Sequence, residues 1–413
     1  MTPTMNPAFH VMAKPSGPLC NLDCRYCFYT EKTRLFPSGT RYRMSPAVLE
    51  TYIRDYIRSQ PGERVTFAWQ GGEPTLLGVD FFRDVVALQR RYADGRPIDN
   101  ALQTNGTLLD DEWGAFFKEE GFLIGISIDG PRFCHDTYRV NRGGQPTYDR
   151  VMRGLAVLKK HAVEFNTLTV VNDVNAKRPL EVYEFLKSTG SGYIQFIPLV
   201  ERWSASGCGS ALAASPQSEK EGEVTAWSVS PEAYGTFLTT IFDAWVKRDV
   251  GRVFVQMFDV TLGNWVGAGP GLCVFAEECG SAMALEHNGD LYACDHYVYP
   301  EYRLGNLMKE PLAQLASSER QTTFGREKKT RLPAYCRECP VLFACNGGCP
   351  KHRFANTPAG EPGLNYFCPA YRTFFEHVRP AMDVMTALLR SQRPPAEIMR
   401  MKKHDRRAWI ETA

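Results

Sequence analysis

Three cysteines near the start of the sequence have a spacing that suits a metal cluster. Cys20, Cys24 and Cys27 form a C-x3-C-x2-C pattern within the stretch GPLCNLDCRYCFY. A structural zinc site takes four ligands, so three cysteines would leave zinc one ligand short. A [4Fe–4S] cluster held by three cysteines keeps one iron available for a further ligand. The spacing therefore favours an iron–sulfur cluster with one open iron, and a zinc knuckle with a distant fourth ligand is the alternative.

A second group of cysteines occupies the C-terminal third. It reads C-x9-G-x4-C, then C-x2-C-x5-C-x3-C, and then a last cysteine. With one cysteine that precedes the pattern there are eight, which divide into two sets of four and predict two fully ligated clusters. Zinc ribbons are the alternative, because C-x2-C pairs on hairpins often hold zinc. The eight are Cys273, Cys279, Cys294, Cys336, Cys339, Cys345, Cys349 and Cys368.

Two further cysteines, Cys134 and Cys208, have no partner at ligand spacing, and we assign them no role. The pair Asn288-Gly289 between two apolar runs predicts a tight hairpin turn, which would present Cys294 at a strand end. The 13 cysteines belong to a chain with no signal-peptide pattern and no apolar stretch of membrane-spanning length. We therefore expect a cytoplasmic protein, whose reduced thiols bind metal rather than form disulfides.

Short apolar runs alternate with amphipathic runs in the first half of the chain. Six such strand–helix alternations within about 240 residues predict a parallel sheet, open or curled into a partial barrel. A Ser45-Pro46 start predicts one of the helices, and Ser230 predicts another further on. The predicted strands are 9–14, 65–70, 100–105, 123–129, 164–171 and 193–199, and the other predicted helices are 81–92, 110–120, 148–161 and 179–187.

Sites in such architectures form at the C-terminal ends of the strands. Cys20, Gly71, Gly72 and Asn105 lie just past predicted strand ends, and Ser127 lies within the end of its own strand. These positions predict one site at that edge of the sheet.

Two segments show no periodic pattern of their own. Residues 204–223 are rich in Ser, Ala and Gly, and we interpret them as a loop or linker, either a surface insertion or a flap that helps to bind a partner. The basic residues near the C-terminus are interpreted as a solvated helix end. A formal net charge of +2 gives no reason to expect a nucleic-acid partner.

The first cysteine loop resembles that of the radical S-adenosylmethionine (SAM) enzymes. CNLDCRYCFY matches their C-x3-C-x2-C-aromatic loop, and GGEP at 71–74, one strand later, matches their second motif. In that superfamily the open iron chelates the methionine moiety of SAM, and one electron from the cluster releases a 5′-deoxyadenosyl radical. The resemblance implies SAM contacts at Tyr26, Gly71, Ser127, Arg139 and Val200.

The register of the C-terminal cysteines resembles that of the SPASM domain, which follows radical SAM barrels in peptide-modifying enzymes. The implied fold is α/β, a partial (β/α)6 TIM-like barrel with a C-terminal cysteine-rich iron–sulfur domain. The expected parts are the barrel at 1–229, a connecting helical segment at 230–272, the SPASM domain at 273–385 and a helical tail at 386–413. The implied ligands are Cys273, Cys279, Cys294 and Cys349 for a first auxiliary cluster and Cys336, Cys339, Cys345 and Cys368 for a second.

Within that superfamily the chain is most similar to the anaerobic sulfatase-maturating enzymes. The segments CDH after the hairpin, DGP…HDTYR and YIQFIPLVER carry this resemblance. It implies oxidation of a Cys or Ser in the Cys/Ser-x-Pro-x-Arg motif of a nascent or unfolded sulfatase to Cα-formylglycine. It also implies that Asp295 is the general base and that a flavodoxin- or ferredoxin-type donor supplies electrons. Without the resemblance, Asp295 would be an ordinary solvated turn residue.

Two other functions are weighed against this one. Another SPASM peptide maturase, such as a thioether-forming enzyme, commonly carries an additional N-terminal peptide-binding domain, whereas 19 residues precede Cys20 in this sequence. A non-enzymatic iron–sulfur electron carrier would need neither a six-stranded scaffold nor an incomplete cluster. The sequence leaves open whether the substrate residue is Cys or Ser.

Overall fold

The strands of the protein belong mainly to one continuous sheet. The structure is a computed structural model, and it describes residues 8–203 and 223–401. The strands are β1 His10–Lys14, β2 Val65–Trp69, β3 Ile98–Thr104, β4 Leu123–Ser127, β5 Phe165–Val171, β6 Tyr193–Pro198, β7 Phe254–Val255, β8 Ala282–Glu286, β9 Asp290–Tyr292, β10 Arg303–Asn306, β11 Ala355–Asn356 and β12 Pro362–Leu364.

Helices follow the first six strands one after another. The predicted Ser45 cap is present, because its side chain accepts a hydrogen bond from the Val48 N–H at the start of the first helix. The α-helices are α1 Pro46–Ser59, α2 Val79–Tyr92, α3 Asp111–Glu119, α4 Arg132–Tyr138, α5 Tyr148–Lys160, α6 Pro179–Ser188, α7 Pro231–Arg248, α8 Gln256–Val266, α9 Leu312–Ala316, α10 Glu319–Thr330, α11 Ala334–Arg337, α12 Leu342–Cys345 and α13 Cys368–Arg390. The 3-10 helices are Thr30–Leu35, Pro74–Leu77, Asn175–Lys177, Cys273–Phe275, Asp295–Tyr297, Pro300–Tyr302, Pro350–His352 and Pro395–Arg400.

Strands β1 to β6 pair in parallel and in sequence order, as the alternating pattern predicts. Each is followed by at least one helix, so the six units form the partial (β/α)6 barrel, and the predicted fold class is confirmed. All six strands point their C-terminal ends to the same edge of the sheet, which is where sites form in this architecture. The predicted strand and helix positions agree with the structure to within about two residues at each end.

The C-terminal part of the chain extends the same sheet. Strand β8 pairs in parallel with β1, with His10 opposite Ala282 and Lys14 opposite Glu286. Strand β9 returns antiparallel to β8 after the predicted Asn288-Gly289 turn, in which Gly289 has a φ of 87°. The hairpin thereby sets the residues after β9 beside the end of β1.

The four-part division of the chain stays a prediction, and two structural facts bear on it. The sheet crosses the boundaries placed at 229/230 and 272/273, because β7 pairs with β6 and β8 pairs with β1. Helix α13 crosses the boundary at 385/386 and packs against α7. Residues 204–222 and 402–413, which include most of the predicted loop, Cys208 and most of the basic tail, lie outside the described residues. Among the described helices, none is both long and apolar enough to cross a membrane.

Candidate active site and cluster sites

The three-cysteine loop leaves the C-terminal end of β1 and turns back across the edge of the sheet. The Leu22 N–H lies 3.4 Å from Sγ of Cys20, and the Cys27 N–H donates to the Cys24 carbonyl at 2.9 Å. Burial raises the pKa of the Cys20 thiol to about 12. Because only the thiolate is a metal ligand, cluster binding at this loop releases protons.

The GGEP segment is fastened directly to the cysteine loop. The Gly72 N–H donates to the Gly17 carbonyl at 2.7 Å, and the Glu73 N–H donates to the Leu19 carbonyl at 2.8 Å. A Cβ added to Gly72 would lie 2.1 Å from the Leu19 carbonyl oxygen. The second glycine is therefore required by the close approach of two backbone segments.

Glu73 is a structural residue inside this motif. Its carboxylate is fully buried and accepts hydrogen bonds from the Thr75 N–H and hydroxyl, from the Thr104 hydroxyl and from the Asn105 N–H, at 2.6–3.1 Å. The bonds from Thr104 and Asn105 join the end of β3 to the segment after β2. Asn105 continues the network, since its side-chain amide donates to Asn21 in the cysteine loop at 2.8 Å.

A buried carboxylate holds two of the predicted SAM-contact residues. Asp129 is fully buried, forms an ion pair with Nε of Arg139 at 2.9 Å and accepts a hydrogen bond from the Tyr26 hydroxyl at 2.5 Å. Burial lowers the pKa of Arg139, but the charge of Asp129 more than compensates, so the guanidinium stays protonated. The Gln103 amide donates to the Ser127 hydroxyl at 3.0 Å, so Ser127 is positioned by the neighbouring strand β3.

Asp295 follows the β9 strand and lies beside the end of β1. One of its carboxylate oxygens forms an ion pair with Lys14, whose side chain is only 2% exposed. Burial would raise the pKa of Asp295, but the charge and hydrogen bond of Lys14, together with His296 and Lys351, more than offset that effect, so the pKa lies below its usual value. Lys14 also donates to the Gln70 side chain at 2.7 Å and lies over the Tyr29 ring at 4.4 Å.

One cleft unites these residues at the C-terminal edge of the parallel strands. Every residue that the sequence singled out for the first cluster, for SAM and for catalysis lines it. They are Cys20, Cys24, Cys27, Tyr26, Gly71, Ser127, Arg139, Val200 and Asp295. Cys134, to which no role was assigned, is buried in helix α4 away from this lining.

Several cleft residues escaped the sequence analysis. The polar ones to which the sequence analysis gave no role are Lys14, Gln70, Gln103, Thr104, Glu201, His296, Lys351 and His352. A lysine at the end of an apolar strand is the one signal that could have pointed to Lys14. Lys351 and Glu201 form an ion pair at 2.5 Å between the cysteine-rich part and the end of β6, and no sequence pattern connects those two positions.

The first predicted auxiliary set is brought together from four separate segments. Burial, with smaller contributions from the thiols of Cys349 and Cys273, raises the pKa of Cys279 to about 12 against the opposing charge of Lys328. Burial likewise raises the pKa of Cys294, again with contributions from Cys349 and Cys273. His296 places Nδ1 3.6 Å from Sγ of Cys349. The four thiols therefore lie within electrostatic reach of one another, next to Asp295.

The second predicted auxiliary set lines a cavity of its own. Cys336, Cys339, Cys345 and Cys368 all face this small cavity, whose other lining includes Leu342. Burial raises the pKa of Cys345 to about 12, and the other three thiols of the set add to the rise. Four thiols around one cavity fit the donor set of a [4Fe–4S] cluster, which takes one cysteine on each iron. Among the residues that the structure describes, no group of three or more His, Cys, Asp or Glu is arranged for a single metal ion.

The comparisons with known proteins agree with this architecture. Residues 15–186 match the model of the radical SAM superfamily, and residues 273–340 match that of the SPASM iron–sulfur cluster-binding domain. The fold and cysteine sets thus define a radical SAM enzyme with a C-terminal iron–sulfur domain. Such an enzyme uses a [4Fe–4S] cluster with SAM, and the SPASM domain binds additional clusters, so the predicted cofactors are confirmed.

Relatives narrow the class to one family. The serine-type anaerobic sulfatase-maturating enzyme of Bacteroides thetaiotaomicron is 50% identical over 95% of each chain. The cysteine-type enzyme of Clostridium novyi is 32% identical over 89% of this chain and 94% of its own. A solved structure described as native anSMEcpe with bound AdoMet and Cp18Cys peptide has a TM-score of 0.80 and 30% identity, and covers 92% of this chain and 99% of its own. The chain belongs to the anaerobic sulfatase-maturating enzymes.

Proposed function

We propose that this chain oxidises a serine of a sulfatase polypeptide, within a Ser-x-Pro-x-Arg motif, to Cα-formylglycine. The observation that carries the proposal is the single cleft that contains both the three-cysteine loop and Asp295. The choice of serine is supported by the 50% identity to a serine-type relative, against 32% to a cysteine-type relative.

In this oxidation the cofactors and the protein side chains have different roles. Conversion of the serine side chain to an aldehyde removes a hydrogen atom from Cβ, a proton from the hydroxyl and one further electron. The first cluster with SAM, held by Cys20, Cys24 and Cys27, supplies the radical that takes the hydrogen atom. Asp295 accepts the hydroxyl proton as general base, which requires it to reach that proton directly or through one water. Its ion pair with Lys14 uses one carboxylate oxygen, and the second oxygen can accept the proton.

In this proposal, SAM would be bound partly by residues that the ion pair and hydrogen bond to Asp129 hold in place. Arg139 and Tyr26 orient toward the cleft through that carboxylate, and Ser127 lies at the end of β4. Gly71 and Val200 line the same cleft and would contact SAM there. The auxiliary clusters take the two cysteine sets named above.

The proposed partners are a sulfatase polypeptide and a reducing protein. A structural relative is described with both AdoMet and a peptide bound, which supports a peptide substrate for the cleft of this chain. A flavodoxin- or ferredoxin-type donor would deliver the electron that starts each turnover. A cytoplasmic setting is part of the same proposal, because it keeps the ligand thiols reduced.

A direct assay tests this function. The full chain, reconstituted anaerobically with iron and sulfide, is incubated with SAM, a reductant and one of two peptides that differ only in Ser or Cys at the target position. We expect the serine peptide to lose two mass units, as formylglycine formation requires, with 5′-deoxyadenosine released in parallel. The proposal would be wrong if SAM is cleaved but the serine peptide is unchanged. A thioether crosslink in either peptide would favour the maturase alternative instead.

A further inference from the structure

Lys328 is a buried cation beside the first auxiliary set. It lies in helix α10, is 1% exposed, and donates to the carbonyls of Cys273 at 2.6 Å, Val274 at 2.9 Å and Ala276. Three acceptors use all three N–H groups of an ammonium, and a neutral amine has only two to give. The geometry therefore requires the protonated side chain, held against the turn that carries the ligand Cys273.

Arg353 lies between the two auxiliary sets. Its guanidinium donates to the carbonyls of Gly347 at 3.0 Å, Asn346 at 3.0 Å and Lys328 at 2.5 Å. The first two acceptors belong to the short segment that joins Cys345 of the second set to Cys349 of the first.

Hydrogen bonds also tie Arg353 to the first set. Its guanidinium donates to the carbonyl of Gly348 at 3.4 Å, directly before the ligand Cys349, and its bond to Lys328 joins it to the cation that holds the turn of Cys273. Cys345 and Cys349 belong to different sets. One guanidinium is therefore held between the two predicted cluster sites.

Neither cation has a carboxylate partner among residues 8–203 and 223–401. Carbonyl dipoles satisfy their hydrogen bonds but supply no counter-charge. This strongly disfavours the buried charge of Lys328 and, to a smaller extent, the half-buried charge of Arg353. Four thiolates leave an oxidised [4Fe–4S] cluster with a net negative charge. Clusters bound by the two sets would supply the counter-charge that the protein side chains do not.

We propose that Lys328 and Arg353 raise the reduction potentials of the auxiliary clusters, Lys328 that of the first cluster and Arg353 those of both. Reduction adds negative charge to a site that is already anionic and largely buried. A fixed cation nearby stabilises the reduced form more than the oxidised form, which is how surrounding charges tune such potentials. A higher potential makes these clusters better acceptors for the electron that leaves the substrate. The inference rests on the ligand sets of the proposed function.

The test uses the full chain with Cys20, Cys24 and Cys27 all changed to Ala, so that the auxiliary clusters alone contribute. Iron per chain and the potential of each cluster, from EPR-monitored redox titration, are measured for Lys328→Gln and Arg353→Gln. Arg353→Lys keeps the charge but loses the fork of donors. Lys329→Gln is the matched control, because Lys329 is the next residue of the same helix, is exposed and pairs with Glu277.

We expect Lys328→Gln to lower the reduction potential of one cluster by at least about 59 mV, which is a tenfold change in the equilibrium of a one-electron couple. Arg353→Gln should lower the potentials of both clusters by at least as much. Arg353→Lys and Lys329→Gln should keep the parent potentials. Full iron with unchanged potentials in both Gln variants would overturn the electrostatic proposal alone. Equal shifts, or equal iron loss, in Arg353→Gln and Arg353→Lys would also overturn it, because the role would then be structural. Fewer than about eight irons in the parent would overturn the ligand sets, and this proposal with them.

Discussion

Lys14 and Asp295 form an ion pair between the last residue of β1 and the turn that follows β9. The two residues meet only because β8 pairs with β1 in a register that sets Lys14 opposite Glu286. The contact links the strand that leads into the three-cysteine loop to the residue beside Cys294. It therefore connects the part of the cleft that carries the three-cysteine loop to the proposed base.

Replacement of Asp295 by Asn should separate radical formation from substrate oxidation. The variant keeps size and polarity but loses the basic carboxylate, so formylglycine should fall about a hundredfold or more. Iron content and 5′-deoxyadenosine should stay at wild-type values, since the first cluster does not depend on this residue. Both products are measured in one assay. Asp290→Asn, a carboxylate of the same hairpin that pairs with Arg303, serves as control. Wild-type turnover by Asp295→Asn would show that another residue is the base. Loss of iron from this variant would show that Asp295 has a structural role.

Lys14→Met removes the ammonium, and it should lower the rate of formylglycine formation without changing peptide binding. Without it Asp295 loses its partner, and we expect kcat for formylglycine to fall about tenfold or more while KM for the peptide is unchanged. Lys14 holds the pKa of Asp295 down, so its removal raises that pKa. The acid limb of kcat should then move to higher pH. A pH–rate profile that superimposes on the wild type would show that Lys14 does not position the base.

Local patterns predict the cysteine sets and the strand end at the Gly-Gly turn, because these signals lie within a few consecutive residues. The rest of the candidate site depends on long-range pairing. In the sequence, Lys14 is only the last residue of an apolar strand. Its ion pair with Asp295 depends on a hairpin that begins at Ala282. Arg353 belongs to no recognised sequence motif, and only the folded structure shows which carbonyl groups it contacts.

Changing Cys20, Cys24 and Cys27 together to Ala should remove about a third of the iron and all SAM cleavage. The intact enzyme should hold about twelve irons, four in each of three clusters. The two auxiliary sets use other cysteines and should keep their eight irons. Iron is measured by colorimetric assay and cleavage by chromatography of 5′-deoxyadenosine. Zinc in place of the remaining iron would contradict the auxiliary assignment.

Gly72→Ala tests the contact between the GGEP segment and the cysteine loop. The new methyl would meet the Leu19 carbonyl at 2.1 Å, and relief of such overpacking typically costs about 1–3 kcal/mol. We expect weaker SAM binding and a lower occupancy of the first cluster. Gly62→Ala is the control, because its Cβ would meet nothing closer than 3.5 Å. Equal SAM affinity in both variants, measured by equilibrium dialysis, would show that the loop tolerates the displacement.

His135 should make the stability of the barrel depend on pH. It is fully buried, accepts from the Asp129 N–H through Nδ1, and burial lowers its pKa to about 3. The unfolded state binds a proton near the ordinary pKa of about 6.5 while the folded state does not, so stability falls as pH drops below that value. Between pH 7.5 and 5.5 the wild type should lose about 1.4 kcal/mol more than His135→Gln. Urea unfolding at the two pH values measures this, and an equal loss in both proteins would contradict the assignment.

The pairing of β8 with β1 also has a consequence for synthesis of the chain. Strand β1 leaves the ribosome well before its neighbour β8, which begins about 270 residues later in the chain. At common translation rates that interval is roughly 13–54 s. During it β1 is an apolar strand with an open hydrogen-bonding edge, which is a template for association with other chains. Because of this topology, the cell must protect the nascent chain from association during synthesis. This requirement is separate from the final stability of the folded sheet.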